Sequence, residues 1–162
     1  MNKKLFILPI LALMLFCSCS KNTLFEEERT FANSTWFRLQ PEHFTVNANN
    51  TDDCYNFLFS IVIDTALYSE TSLPIMMEIE SPNHEKRTLF NTIMLRNKDG
   101  QCLGEFDSEG HLCVTQTVRQ FYFFNTKGDH SVNISQRTTK YEIHGIHSIK
   151  LKLEKVKLEY PE

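Results

Sequence analysis

A pair of cysteines near the start of the chain offers the clearest chemistry in the sequence. Cys17 and Cys19 follow twelve uncharged residues, 5–16, which stand directly behind two lysines. This layout is typical of a secretory signal, because a helix of that length spans only about 18 Å and cannot cross the ~30 Å hydrocarbon core of a membrane. A serine precedes Cys19, whereas the bulky Phe16 precedes Cys17, and bacteria lipidate cysteines that follow a small residue. We therefore expect a signal peptide over residues 1–18 and lipid on Cys19.

Lipid on Cys19, with acyl chains such as palmitate, would hold the mature protein at a membrane. Each buried CH₂ contributes about 0.8 kcal/mol, and two acyl chains already anchor a protein stably. Ser20 stands where an aspartate would mark retention in the inner membrane, so the outer membrane is favoured. The acidic run 26–28 comes too late for a surface-export signal, so we expect a periplasm-facing protein, with surface exposure as the alternative. An ordinary signal peptide with an unmodified thiol also stays open.

Composition and charge place the rest of the chain among compact domains that do not bind nucleic acid. The 162 residues are 41% hydrophobic and 23% charged, which is too apolar for a disordered chain and fits one domain. Loss of Lys3 and Lys4 with the signal takes the formal charge from −3 to −5. Nucleic-acid binders normally carry a basic excess, so no such partner is expected. We interpret the polar residues 19–30 as a tether and residues 31–160 as the domain.

Two candidate modification sites lie inside the domain. Cys54, Cys102 and Cys113 remain after the signal, and an odd number allows at most one disulfide between them, for which Cys102 and Cys113 are the more local pair. Three buried thiols that behave as small hydrophobic side chains are an equal alternative. Residues 64–66 resemble the short Asp-Thr/Ser-small motif that carries O-linked sugar in some exported bacterial proteins, so Thr65 is a candidate glycosylation site. A simple strand end is the alternative there.

No pattern in the sequence predicts catalysis, a metal site or a cofactor. His144 and His147 are three residues apart, which places them on opposite sides of a strand, and no third ligand stands at metal spacing. Asp107 and Glu109 fit an exposed turn better than an acid–base pair. The sequence also lacks a glycine-rich phosphate loop, a zinc-protease motif and the serine elbow of hydrolases. We therefore expect a protein that is not an enzyme and holds no metal and no cofactor.

Alternation with a period of two predicts the strands that form the domain. Residues 54–64 place five apolar side chains on one face, as in a central strand, and residues 149–153 alternate in the same way. Residues 118–136 predict a hairpin around a turn at 125–129. Most aromatic residues fall where they should face a core, including Trp36 and the run 121–124. At least seven short strands without a helical period predict a single antiparallel β-sandwich, jelly-roll or Ig-like.

Several short motifs of the chain occur in a characteristic order. They are the lipidation motif, Tyr55-Asn56-Phe57, Ser81-Pro82-Asn83, Asp99-Gly100-Gln101-Cys102-Leu103-Gly104, Gly128, Gln136 and Gly145-Ile146. Their order resembles that in the gliding-motility lipoprotein GldH family of Bacteroidetes, over about residues 31–154. Cys102 stands where an aromatic residue is common in that family, and no second glycine follows Ile146, so the chain resembles a divergent member.

The resemblance implies an outer-membrane lipoprotein that works through protein contacts with the gliding and type IX secretion apparatus. It supplies no catalytic residues. We therefore expect a non-catalytic interaction or assembly component, anchored by lipid, whose partners are other outer-membrane or gliding and secretion lipoproteins. A carbohydrate- or ligand-binding lipoprotein on the same sandwich is the alternative, because exposed aromatic rings can stack on sugars.

Overall fold

The computed structural model describes residues 22–158, which form eleven strands, one short 3₁₀ turn and no α-helix. The strands are β1 (Thr23–Thr30), β2 (Thr35–Phe37), β3 (Glu42–Ala48), β4 (Cys54–Ile63), β5 (Ser72–Glu80), β6 (Lys86–Met94), β7 (Glu105–Phe106), β8 (Leu112–Phe123), β9 (Gly128–Gln136), β10 (Glu142–His144) and β11 (Ile146–Val156). The 3₁₀ turn, Ala32–Ser34, precedes β2. No helix in this range is long and apolar enough to span a membrane.

Two antiparallel sheets pack face to face and confirm the predicted β-sandwich. One sheet has the order β1-β11-β4-β8-β7, and the other has the order β3-β9-β5-β6. A third, two-stranded sheet of β2 and β10 lies at one end, where β10 leads into β11. Neighbouring strands in the large sheets are mostly distant in sequence, so the chain crosses repeatedly between the two layers.

The core lies between the two large sheets and follows the alternation of the sequence. The five apolar side chains on the predicted inner face of β4 are at most 4% exposed, and the inner side chains of β11 are fully buried, so both strand predictions are confirmed. Burial of each such side chain stabilises the fold by roughly 1.5–3 kcal/mol. The buried residues of these two strands and of β5 opposite them are Tyr55, Phe57, Phe59, Ile61, Ile63, Ile149, Leu151, Leu153, Leu73, Ile75, Met77 and Ile79.

The predicted tether is wrong for residues 23–30, because they form β1 at the edge of the sandwich. This strand pairs with β11 from Thr23 opposite Glu154 to Thr30 opposite Ser148. Glu26 faces solvent and forms ion pairs with the β11 residues Lys150, at 3.2 Å, and Lys152, at 3.9 Å. Glu26 and Glu28 therefore lie on the outer face of a strand, where lysines far away in the sequence match the charge of Glu26, whereas Glu27 lies on the other face and pairs with Arg29.

The predicted hairpin over residues 118–136 is also wrong, because its two strands belong to different sheets. β8 pairs with β4, whereas β9 pairs with β3 and β5. Tyr122 and Phe124 are 5% and 1% exposed and lie between the sheets, so the chain crosses the core layer instead of folding back beside itself. Gly128, with φ of +117°, begins β9 after this crossing.

Gly145 joins β10 to β11 at a point where the backbone conformation and the close neighbours leave no room for a side chain. Its φ is +84°, and a Cβ there would lie 2.8 Å from the Leu67 Cβ and 3.0 Å from the Asp64 carbonyl oxygen. Gly110 has nearly the same φ, +86°, but an added Cβ would meet no atom within 4 Å. We expect Gly110→Ala to lower the free energy of unfolding by about 1 kcal/mol through backbone strain alone. Gly145→Ala should lower it by about 2–3 kcal/mol, because the clash adds to that strain.

Urea unfolding of the mature chain, followed by far-UV circular dichroism, measures both changes. Equal losses in the two variants would contradict the packing argument and leave only the shared backbone conformation as the cause.

The burial of His130 predicts that the folded protein loses stability in mild acid. The side chain is 1% exposed; its Nδ1–H donates to the Gly128 carbonyl oxygen at 3.1 Å, and its ring lies 4.6 Å from that of Phe124. Burial lowers the pKa of His130 below its ordinary value of 6.5. In the unfolded chain this imidazole is protonated as the pH falls through about 6.5, whereas in the folded chain it is protonated only at a lower pH. Protons therefore bind more readily to the unfolded state, and the free energy of unfolding falls as the pH falls through this window.

The measurement compares the free energy of unfolding at about pH 7.5 and about pH 5.5 in the wild type and in His130→Gln. The wild type should lose more stability between the two pH values than the variant, which has no imidazole to titrate at this position. The same pH dependence in both proteins would show that burial of His130 has no such effect.

Candidate functional site

The residues proposed for modification lie in different places. Cys19 falls outside the described residues, so its lipidation stays a prediction. Thr65 is half-buried in the turn after β4, where the Asp64 Oδ1 accepts a hydrogen bond of 2.8 Å from the Ala66 N–H. This turn gives a structural reason for the Asp-Thr-Ala sequence of residues 64–66. Glycosylation of Thr65 stays a prediction.

The cysteines of the described range are free thiols, so the disulfide between Cys102 and Cys113 is not formed in this structure. Cys102 lies in a bridge with Arg96, whose Nη1 is 3.3 Å from the Cys102 Sγ. Cys113 lies on β8, and burial raises the pKa of its thiol, as it does for Cys54. Thiols with raised pKa values are poor nucleophiles, so neither Cys54 nor Cys113 has the character of a reactive cysteine.

The two histidines near β11 separate into different surroundings. His144 Nδ1 is 3.0 Å from the Thr35 hydroxyl, across the β2–β10 pair. His147 instead packs on His111, with the two ring centroids 3.9 Å apart, and its Nδ1 is 3.1 Å from the Ser34 hydroxyl. This contact could not be predicted from the spacing of the histidines in the sequence, because it depends on β4 lying between β8 and β11.

This histidine pair does not assemble the relay of a hydrolase. A Ser-His-Asp triad needs one imidazole between the nucleophile and the carboxylate. Here the Ser34 hydroxyl contacts His147, whereas the nearest carboxylate, that of Asp107, lies 3.4 Å from the Nδ1 of the other ring, His111. The Nε2 of His147 is buried and has no hydrogen-bond partner among the described residues. Within residues 22–158, no three His, Cys, Asp or Glu side chains are grouped to hold a metal ion.

Asp107 has the structural role that the sequence predicted. Its Oδ1 accepts hydrogen bonds of 2.9 Å from the backbone N–H groups of Glu109 and His111. These bonds lower the pKa of the Asp107 carboxyl. A carboxylate that is held ionised in a turn caps backbone groups, and this accounts for the Asp-Ser-Glu-Gly sequence.

The lateral side of the sandwich opposite the edge strands β1 and β3, which we call the open side, also ends in edge strands. It consists of β6, the last strand of its sheet, and of β8 beyond Cys113. The short strand β7 pairs only with Leu112 and Cys113, so no described strand pairs with the outer edge of the rest of β8. Edge strands present unpaired N–H and C=O groups to which another strand can bind. The open side is therefore one of two lateral sides with unpaired edge strands, and β1 and β3 form the other.

Side-chain bridges hold the two edge strands of the open side together. Gln116 on β8 accepts a hydrogen bond from the Met94 N–H at 3.1 Å and donates one to the Thr92 carbonyl oxygen at 3.1 Å. Towards the other end of the strands, the Arg87 guanidinium of β6 lies 5.7 Å from the centre of the Tyr122 ring of β8. The first bridge occupies backbone groups of β6 in the same way that an added strand would.

Large apolar side chains are exposed along these edges. Phe90 of β6 is 72% exposed and Met94 44%, while Phe121 and Phe123 of β8 are 51% and 42% exposed. The expectation that the run 121–124 packs in the core holds for Tyr122 and Phe124 but is wrong for the other two rings.

Phe121 is exposed because β8 carries a bulge. Between the pairs Tyr55–Tyr122 and Phe57–Arg119, β8 has two residues, Gln120 and Phe121, for the single residue Asn56 of β4. The backbone of Phe121 has φ of +53°, and its N–H donates to the Asn56 Oδ1 at 3.1 Å. A left-handed conformation at a bulky residue costs on the order of 1–3 kcal/mol and is found mainly where function requires it.

The groove beside Tyr68 gives little support to a sugar site. A groove of about 200 Å³ lies beside Tyr68 and Ile143, and the residues that line it are Tyr68, Glu70, Ser72, Pro74, Thr138, Thr139, Lys140 and Ile143. Its single aromatic side chain, Tyr68, is 4% exposed, and burial raises the pKa of that phenol to about 12. Sites for small organic ligands usually enclose roughly 300–1,000 Å³, so this groove is small for one.

The motif residues that the sequence singled out mainly support the scaffold. Gln136 is fully buried, and its Oε1 accepts hydrogen bonds from the Thr138 N–H at 2.9 Å and from the Thr138 hydroxyl at 2.7 Å. A Cβ on Gly104 would collide with the Cys113 carbonyl group, so only glycine fits where the chain enters β7. These positions preserve turns and close approaches rather than a reaction centre.

A family model described as GldH lipoprotein matches residues 23–153, which run from the first residue of β1 almost to the end of β11. No curated protein matches the chain.

Because Gln116 bridges β8 and β6, its replacement should destabilise the protein more than replacement of Gln120 on the same strand. Gln116→Ala removes two hydrogen bonds to the edge of β6 and should lower the free energy of unfolding by about 1–2 kcal/mol. The Met94 amide should then exchange its hydrogen faster, because its acceptor is gone. Gln120 is exposed and serves as the matched control, for which alanine should change neither quantity. Unaltered exchange at Met94 in Gln116→Ala would contradict the bridge.

Proposed function

The chain belongs to the GldH lipoprotein family, and we propose that it is a non-catalytic, lipid-anchored interaction component that serves gliding motility and type IX secretion. The family supports a membrane-anchored lipoprotein related to gliding motility. The lipidation motif at Cys19 supplies the anchor, and the absence of an aspartate at residue 20 favours the outer membrane. The observation that carries the interaction role is the open side of the sandwich.

The open side binds an extended segment of the partner by strand addition to β6. The Thr92 carbonyl and the Met94 N–H already point away from β5, since Gln116 bonds to both. Backbone directions alternate along an antiparallel strand, so the N–H and C=O groups of Thr88 and Phe90 point the same way. Main-chain hydrogen bonds to these groups would give affinity, and the exposed ring of Phe90 would select an apolar side chain.

Charge defines the chemistry of this partner segment. Lys86 and Arg87 on β6 and Arg119 on β8 are exposed along the open side. Lys86 is shared with Glu78 and Glu80 of β5, at 3.1 and 3.3 Å. Among the described residues Arg119 forms no ion pair, and Arg87 lies near the Tyr122 ring without one. An extended segment with alternating apolar and acidic residues complements this edge, and like charges would be rejected.

The absence of catalysis is part of the same proposal. The closest approach to a catalytic arrangement is the Ser34–His147–His111 cluster, in which hydroxyl and carboxylate contact different rings. The motif residues serve turns and close packing, which agrees with a scaffold that presents a surface. A ligand-binding role is the second candidate: the groove beside Tyr68 is small for a ligand, and a larger groove of about 460 Å³ beside Phe123 is lined half by charged residues.

Photo-crosslinking in native membranes tests the interaction surface. A photoreactive amino acid at Phe90 should capture an outer-membrane or secretion-associated protein, because that side chain stands on the open edge. Thr45 on β3, which is exposed at the opposite edge of the same sheet, is the matched control and should capture none or far less. Phe90→Asp should weaken the crosslink formed from a second probe at Thr88, because an acidic partner is repelled. Identical products from Phe90 and Thr45, or none from Phe90, would reject strand addition at β6.

A further inference from the structure

We infer that the end of the sandwich where β1 begins docks on the lipid surface that holds the anchor, through Phe121, Phe123 and Leu158. The inference rests on the proposed lipidation of Cys19 and concerns the orientation of the folded domain. Its occupant is the bilayer, and the length of chain between the lipid and the domain argues for it.

The chain between the lipidated residue and the domain is too short to let the domain move away. Only Ser20 and Lys21 separate Cys19 from Asn22. Three residue steps reach at most about 11 Å even when fully extended. Asn22 already belongs to the folded domain, since its carbonyl oxygen accepts a hydrogen bond of 2.7 Å from the Lys155 N–H. The β1 end must therefore remain within about 11 Å of the lipid-bearing residue.

The strand registers identify what else lies at this end. Thr23 pairs with Glu154 near the end of β11, and Val156 pairs with Cys54 at the start of β4. Cys54 in turn pairs with Phe123 at the end of β8. The β2–β10 pair lies at the opposite end, because β10 leads into the start of β11. The short anchor thus selects one end of the sandwich to face the membrane.

The selected end carries apolar side chains that are suited to a lipid interface. Phe121, Phe123 and Leu158 are 51%, 42% and 37% exposed. A groove of about 460 Å³ at this end is lined by Phe123, Val156, Leu158 and Cys54 and by the charged residues Asp52, Asp53, Lys155 and Lys157. Exposed Lys127 and Lys157 flank them. Aromatic and leucine side chains beside lysines are typical of surfaces that insert into the headgroup region of a bilayer.

Acidic residues at this end limit the part that charge plays. Asp53 is held by Lys155 at 2.7 Å, and Asp129 accepts a hydrogen bond from Asn47 at 2.6 Å, while Asp52 and Glu85 are exposed. Acids and lysines are thus interspersed, so attraction to anionic lipid is weak. Docking depends on burial of the apolar side chains and should occur on uncharged lipid as well.

The bulge at Phe121 is an independent observation that favours this orientation. Phe121 has a strained backbone conformation, with φ of +53°, and its ring lies outside the core. The Asn56 Oδ1 accepts a hydrogen bond from the Phe121 N–H and stabilises this conformation. Tyr122 and Phe124, which follow Phe121, remain buried in the core. The strained residue stands at the end that the anchor draws to the membrane.

The test uses the lipidated full chain in phosphatidylcholine vesicles whose acyl chains carry bromine, which quenches tryptophan that enters the bilayer. Trp36 is the single tryptophan and is fully buried on β2, so the wild type should show almost no quenching. Phe121→Trp should lose fluorescence by about two-fold more than the wild type, because its ring enters the interface. Tyr141→Trp is the matched control, since Tyr141 is 58% exposed beside β10 at the far end, and it should behave as the wild type.

Co-flotation of the chain with the vesicles separates the two proposals. Flotation with strong quenching of Phe121→Trp alone supports docking. Flotation with equal quenching in Phe121→Trp and Tyr141→Trp overturns docking but leaves the anchor intact. Failure to float overturns the anchor and, with it, the docking that depends on it. Phe123→Trp repeats the measurement at a position without the strained backbone, which guards against a folding defect at residue 121.

Discussion

The pairing of β11 with β1 on one side and β4 on the other is the contact on which the rest of the structure depends. It places the inner face of β11 in the core, pairs Glu26 of β1 with lysines of β11, and joins the first described strand to the last. It also leaves almost no free chain after the lipidation motif. One pairing therefore determines both the packing of the first sheet and the closeness of the domain to its anchor.

Much of the fold could be predicted from local alternation, and the errors have a common cause. The inner faces of β4 and β11 were predictable because alternate side chains point to opposite faces of a strand. The predictions of a tether at the acidic run of β1 and of a hairpin at the β8–β9 connection were wrong, because the structure of both segments depends on partners far away in the sequence. A polar strand looks like a tether until the lysines of β11 are known, and two strands joined by a turn look like a hairpin until each is seen paired elsewhere.

The candidate surface was less accessible to prediction than the fold. Alternation around Tyr122 and Phe124 could have indicated that Phe121 and Phe123 face outward, but the bulge opposite Asn56 has no signal in the sequence. The contact of His111 with His147 likewise requires the order of β8, β4 and β11. The motifs of the family were found correctly, yet their residues support turns and close packing. The proposed interaction surfaces lie at strand edges and exposed rings, which short motifs do not describe.

The central claim is that a short anchor orients the sandwich, with the β1 end at the membrane and the open side free to meet a partner laterally. Amide NMR of the lipidated chain in bilayers that contain a lipid with a paramagnetic headgroup tests this orientation directly. We expect strong signal broadening at residues 52–53 and 155–158 and little at residues 35–37 and 142–144. Stronger broadening at the β2–β10 end, or equal broadening at both ends, would contradict the account.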